Sequence, residues 1–244
     1  MPTFPIIRQL FTPHTATETA GIQTHTHTPD DWLVLFNQLV TPIKLVPLYG
    51  TCLGFYRDNQ IIPHDTDADF GVLLEDLPAL HEKVPALLQA GFFISGRGNY
   101  QLTFSMPNTK FSIDIWPYKR LRFPMTVLGH KWLCDHVYYK SDFFATLSAF
   151  TYNKKPYYLP TPCEAYLEFV FGPEWRIPLK GRFAGPRGLL SQYINSLFVD
   201  FPVPAAFSGY DDLGTYKPWV SRVLKTLCPD AKITQLYRHP ESKS

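Results

Sequence analysis

Twenty-three of the 244 residues are proline, about twice the usual ~5% share. Proline lacks a backbone N–H and clashes inside helices, and it is excluded from most positions of a central strand. A chain interrupted this often cannot consist mainly of long helices or wide, uninterrupted strands. It is not low-complexity sequence either: glycines number only 14, and 45% of residues are hydrophobic and 16% aromatic. Ample apolar residues with little net charge bury a core and do not leave the chain disordered. The expectation is a folded, loop-rich α+β protein of one large domain or two small ones.

Lysine and arginine number 23 against 21 aspartate and glutamate, for a net charge of +2. No basic stripe marks a nucleic-acid partner, and the charge gives no reason to expect an anionic surface. Cys52, Cys134, Cys163 and Cys228 are scattered, with no C-x-x-C pair; they read as reduced, buried thiols. The N-terminus shows no basic-then-apolar leader, and no apolar run approaches the ~18 residues of a membrane span. These features predict a cytoplasmic protein with no transmembrane segment and leave peripheral membrane association open.

Residues 1–28 are rich in Thr, Pro and His and lack periodicity, which predicts an extended arm or a poorly ordered lead-in; His25 and His27 read as exposed. Thr28-Pro29-Asp30-Asp31 is a helix start: a cap, a proline at the first position, and acids at the positive end of the dipole. The stripe Trp32, Leu33, Leu35, Phe36, Leu39 follows, ending at Pro42. Strands are expected at 43–48, 68–74, 92–94, 100–106 and 111–116, with turns at 96–98 and 107–108. A turn into a short helix is expected at 50–57. A helix is expected over 77–89, with Gly91 as its stop and Pro85 as a kink. Further helices are expected at 138–150, 162–171, 189–198 and 219–227. This divides the chain into an arm (1–28), a core (29–120), a helical and loop-rich part packed on it (121–238) and a frayed tail (239–244).

The densest acidic cluster is Asp65, Asp67 and Asp69, just before the apolar run Phe70–Leu74. Residues two apart in a strand share a face, so Asp67 and Asp69 aim two carboxylates the same way. Like charges so placed repel unless a cation lies between them, and carboxylate oxygens suit Mg²⁺ or Mn²⁺. Alone, the pair reads more readily as a solvated acidic turn. Asp114 changes the balance, because it interrupts the apolar strand Phe111–Trp116, where an unpaired carboxylate is costly. Lys119 or Arg120 could pair with it. If the two strands are neighbours, however, Asp67, Asp69 and Asp114 converge on one cation site, the arrangement needed for metal-assisted phosphoryl transfer.

Upstream, Tyr49-Gly50-Thr51-Cys52-Leu53-Gly54 brings a strand end into a helix start. Gly50 allows close backbone approach, and the first N–H groups of the helix can cradle a phosphate with Thr51. Arg57 is placed to contact phosphate or to pair with Asp58 or Asp65.

The run 49–58, then Ile61-Ile62-Pro63-His64-Asp65-Thr66-Asp67-Ala68-Asp69-Phe70-Gly71, resembles the LicD/fukutin family. Ile113-Asp114-Ile115-Trp116-Pro117 resembles its third-acid strand. Tyr158-Leu159-Pro160-Thr161-Pro162, Tyr166-Leu167-Glu168 and Phe171-Gly172-Pro173-Glu174-Trp175 resemble its closing elements. His64 stands where the family has Trp, Thr66 where an acid or aromatic is common, and Phe171 replaces Tyr.

The resemblance implies a nucleotidyltransferase (polymerase-β-like) fold, a small mixed sheet flanked by helices. It implies transfer of a phospho-alcohol group from a CDP-activated donor, such as CDP-choline, CDP-ribitol or CDP-glycerol, to a sugar hydroxyl of a glycan or glycolipid, with release of CMP. On that reading Asp67, Asp69 and Asp114 are catalytic and hold Mg²⁺ or Mn²⁺, while Gly50, Thr51 and Arg57 bind the phosphates. Two rival readings remain: transfer of a nucleoside monophosphate from an NTP, and a non-catalytic scaffold with a degenerate site.

Overall fold

The computed structural model describes residues 5–15, 28–63, 65–98, 101–107, 109–122, 126, 129–134 and 137–178. The helices expected at 189–198 and 219–227, the expected tail, Cys228, His25, His27 and His64 lie outside these residues.

The capping signal at Thr28 starts α2 (Pro29–Val40), which follows the short helix α1 (Pro5–Leu10). The Thr28 hydroxyl accepts the Asp31 N–H while Asp31 accepts the Thr28 N–H, a reciprocal capping box. Next come β1 (Val46–Pro47), α3 (Tyr49–Leu53) with a π-helical turn over Gly54–Asp58, β2 (Asp67–Leu73) and α4 (Leu77–Gln89). Then β3 (Phe93–Arg97), β4 (Leu102–Ser105), β5 (Ser112–Arg120), β6 (Trp132–Cys134) and β7 (Val137–Tyr139) complete one mixed sheet. A separate hairpin, β8 (Leu147–Tyr152) and β9 (Lys155–Pro160), leads to α5 (Cys163–Phe171).

The sheet runs in the order β1-β2-β5-β4-β3. Only β2 and β5 are parallel; the other pairs are antiparallel. Along its other edge β5 pairs first with β4 and then with β6. The alternation of each strand sends its two sets of side chains to different neighbours. Ala68, Phe70 and Val72 of β2, Ile113 and Ile115 of β5, and Leu102 and Phe104 of β4 form one core with Phe36 of α2 and Leu80 and Leu87 of α4. On the opposite face Tyr118 joins Leu48, Cys52, Phe144, Tyr166 and Leu167, from α3, α5 and the loops between. Gly71 makes room there, since a Cβ on it would stand 3.1 Å from the Tyr118 ring.

Four expectations differ from what is observed. Residues 5–10 are helical, and Ile7 and Phe11 are buried in the main core. Arg97 holds this segment through the Arg8 and Phe11 carbonyls, so apolar burial overrides a composition that reads as an arm. Residues 96–97, expected in a turn, belong to β3, where a bulge between Ile94 and Gly96 absorbs the irregularity. β5 runs through Pro117 to Arg120 and continues the sheet into β6 and β7, beyond the expected limit of the core at residue 120.

The expected helix over 138–150 is instead β7, a turn and the start of β8. Asn153 and Lys154 both have positive φ, 47° and 62°, between the paired residues Tyr152 and Lys155. Two such residues make the two-residue turn that fits a hairpin's twist, so the aromatic-rich segment alternates and does not coil. Tyr157 of this hairpin stacks on Phe70, and Tyr152 on Phe55 at 4.0 Å between centroids. The helix expected over 77–89 forms with those bounds, Pro85 within it. No helix among the described residues is long and apolar enough to cross a membrane.

The π turn after α3 presses against the segment that leads to the acids. A Cβ on Gly54 would stand 2.5 Å from the Gln60 carbonyl oxygen and 3.1 Å from the Ile62 N. Both are backbone atoms, so neither can swing aside. Helix propensity favours Ala over Gly by about 1 kcal/mol, but overpacking against fixed backbone costs about 1–3 kcal/mol. Gly54→Ala is therefore expected to lower the urea midpoint despite its better propensity.

Candidate active site

The acids sit where β2 and β5 begin to run side by side. The Thr66 carbonyl accepts the Ser112 N–H at 3.0 Å, which starts a register pairing Asp67 with Ser112 and Asp69 with Asp114. Adjacent residues of paired strands share a face, so the alternation that buries Phe70 and Ile115 in the core turns Asp67, Asp69 and Asp114 together to the other side. One ligand oxygen from each lies within 4.8 Å of the others. The condition that the sequence leaves open, that these two strands are neighbours, is met.

Neighbouring groups hold these carboxylates in place. The Trp116 indole N–H donates to Asp69 Oδ1 at 2.7 Å, and the Thr51 hydroxyl accepts the Asp69 backbone N–H at 2.8 Å. Asp114 is buried, at 6% exposure, and its Oδ1 is sealed from solvent with no hydrogen-bond partner among the described residues. Asp65 shares a hydrogen bond with Asp67 and places its Oδ2 3.1 Å from the position a Cβ would take on Gly50. Gly50 and Thr51 thus both abut the acid cluster. Arg57 instead forks onto Asp58, at 2.8 and 2.6 Å, and donates to the Trp175 carbonyl at 3.3 Å. Of its three anticipated partners the structure shows Asp58.

Burial and crowding raise all three acids. Burial pushes the Asp69 carboxyl up to about 7; the Trp116 bond opposes this, and the charges of Asp67, Asp114 and Asp65 add to it. Asp67 is raised to about 6 by burial and by Asp65. Asp114 is raised by burial, against hydrogen bonds from Thr103 and Gln101. Three hard oxygen donors, mutually repelling and including one buried oxygen without a partner, fit a divalent cation. The triad can hold a metal ion, and a bound cation would replace the protons these groups otherwise retain.

Asp65 and Trp116 belong to this constellation although neither was singled out as a site residue. Asp65 continues the two-residue spacing of Asp67 and Asp69 backward, a signal present in the sequence. Trp116 lies two residues after Asp114, on the same face, but its partner Asp69 is fixed only by the register of two distant strands.

The raised values have a consequence for stability. Between the unfolded carboxyl value, near 3.8, and the folded values of about 6 and about 7, the folded state keeps protons that the unfolded chain releases. Stability without a cation therefore falls as pH rises through that window. Asp69→Asn removes the group most affected and keeps an acceptor for Trp116. In urea denaturation without divalent ions the variant is expected to exceed the parent by up to about 4 kcal/mol at pH 8. At about pH 3, below the unfolded value, where Asp69 is protonated in both states, the two should be nearly equal.

The sequence matches the family model described as LicD/FKTN/FKRP, nucleotidyltransferase domain, over residues 43–163. It has no significant match among curated proteins. Among solved structures, the chain is similar to the solution structure of the antibiotic-resistance factor ANT(2'')-Ia: identity is 14% and the TM-score 0.39, covering 74% of this chain and 93% of that one. It is also similar to the crystal structure of ANT(2'')-Ia in complex with adenylyl-2''-tobramycin, at 12% identity and a TM-score of 0.36, covering 69% and 91%. The matched stretch runs from the entry to β1 through the first residue of α5 and contains all three acids on their paired strands. The fold is that of a nucleotidyltransferase, and the chain belongs to the LicD/FKTN/FKRP family.

Proposed function

We propose that this transferase moves a phospho-alcohol group from a CDP-activated alcohol to a sugar hydroxyl of a glycan or glycolipid and releases CMP. The observation that supports this most is the convergence of Asp67, Asp69 and Asp114 within 4.8 Å, on a family-matched pair of strands. Mg²⁺ or Mn²⁺ is the cation on this reading. Asp67, Asp69 and Asp114 would hold it, and it would supply positive charge to offset the negative charge developing on the phosphoryl oxygens.

The protein's own groups account for the remainder. Trp116 fixes one Asp69 oxygen and Thr51 fixes the Asp69 backbone, which limits how the carboxylate can turn. The Gly50–Thr51 turn borders the acids, and the pyrophosphate of the donor lies across it, near backbone N–H groups. Asp114, whose carboxyl is raised, takes the proton from the acceptor hydroxyl. The acceptor oxygen bonds to the distal phosphorus as that phosphorus loses its bond to the CMP oxygen. Arg57 contributes to phosphate binding only if it leaves Asp58, and otherwise braces Trp175. A cytoplasmic enzyme, touching membrane-borne acceptors at most from the periphery, goes with this reading.

Three measurements test it. In a thermal-shift panel with Mg²⁺, a CDP-alcohol is expected to raise the melting temperature more than NTPs do, because binding to the folded state stabilises it by mass action. Asp67→Ala should fold normally yet lose that response and at least about 100-fold in turnover. Undiminished transfer by this variant would remove the assignment. Release of pyrophosphate with a nucleotide adduct, instead of CMP with a phosphodiester, would establish transfer of a nucleoside monophosphate.

A further inference from the structure

Cys52 and Cys163 are 111 residues apart in sequence, yet their sulfurs are 3.7 Å apart. Cys52 lies on α3, fully buried, and Cys163 is the first residue of α5, partly exposed. The two helices pack against each other. A second link lies close by, where the Tyr49 N–H of α3 donates to the buried Tyr166 hydroxyl of α5 at 3.2 Å. Such a sulfur spacing also suits two thiolates sharing a metal ion, but that requires further ligands. Among the described residues the only His, Cys, Asp or Glu group with metal-binding spacing is the aspartate triad. A disulfide needs about 2.05 Å between sulfurs, within reach of a side-chain rotation and a small shift of a short helix.

We propose that Cys52 and Cys163 are a reversible redox pair, and that its oxidation staples α5 to α3. The accessibility of the two thiols sets the order of events. A low-molecular-weight disulfide such as oxidised glutathione is the oxidant. The Cys163 thiolate attacks it, forming a mixed disulfide and expelling one glutathione thiolate, which takes up a proton. Cys52, which no reagent reaches directly, then gives up its proton and attacks the Cys163 sulfur. The sulfur–sulfur bond to glutathione breaks, and the second glutathione leaves as a thiol. Two protein thiols have lost two hydrogens, and one glutathione disulfide has become two thiols. Burial pushes the Cys52 thiol up, which suits it to this second, intramolecular step better than to the first.

The staple would tie down the element on which the acids lean. Thr51, beside Cys52, carries the hydroxyl bonded to the Asp69 N–H, and Gly50 abuts Asp65. The inference stands on α3 and α5 and does not depend on the proposed reaction, so its test needs no substrate.

The experiment treats the folded full-length chain with oxidised glutathione at pH 8, alkylates the remaining thiols and maps peptides by mass spectrometry. The expected result is a peptide joining Cys52 to Cys163 that dithiothreitol separates. Closing a loop this long should also raise the melting temperature by about 5–15 °C, a rise absent from Cys163→Ser. Glutathione left on Cys163 without the cross-link, a bridge to Cys134 or Cys228, or a cross-link formed only after denaturation would each overturn the proposal. The mapping uses the unmutated chain, so it decides the matter even if the variant folds poorly.

Discussion

The parallel pairing of β2 with β5 is the constraint on which the rest of the structure depends. It places Asp69 beside Asp114 and leaves Asp67 at the strand entry, on one face. Opposing faces are not independent in a strand: a slip of one residue would turn the carboxylates into the core and Phe70 and Ile115 out of it. The apolar core against α2 and α4 therefore fixes the register of the acids more firmly than any contact among them. Repulsion and burial work against that arrangement, as the raised carboxyls show. The core overcomes this because it is large and continuous, while the opposing charges are confined to a few neighbouring positions.

Hydrogen bonds at the site are arranged to orient the acids without neutralising them. Trp116 favours the ionised form of Asp69 but offers no full charge, and Thr51 binds the backbone and leaves the carboxylate untouched. The nearby cation Arg57 is engaged by Asp58. Had Arg57 paired with the triad, a structural ion pair would have lowered those carboxyls and weakened the case for a metal. Its fork onto Asp58 leaves the triad underneutralised, the condition under which an added cation gains most.

Much of this was legible in the sequence, and the exceptions have physical causes. The spacing of Asp67 and Asp69 and the interruption of an apolar strand by Asp114 are visible in one dimension, because two-residue alternation is a local property. That the strands are neighbours is not local: α4, β3 and β4 intervene, and only packing closes the gap. α2 is legible from its cap and stripe, and α4 from its stop signal at Gly91. The segment 138–150 misleads because its aromatics suit either a helix face or a strand. The deciding residues, Asn153 and Lys154, lie just beyond it and act only through their positive φ. α1 is too short to show periodicity, and its burial of Ile7 and Phe11 is a tertiary effect.

Proline illustrates how a restrictive composition becomes compatible with a mixed sheet. Pro47 lies in β1, the edge strand beside β2, where a missing donor is tolerated. Pro117 is the harder case, since β5 is central and has partners on both sides. On one edge β4 pairs as far as Ile115 and β6 takes over at Tyr118. Pro117 falls in the gap between them, where the lack of an N–H costs least. The same change of partner lets one strand serve two purposes. Its first half, with β4, positions Asp114, and its second half, with β6, carries Tyr118 into the core that backs α3 and α5. A proline that would disrupt a uniform central strand thus sits at the one place where this strand is already divided between its site-bearing and its supporting halves.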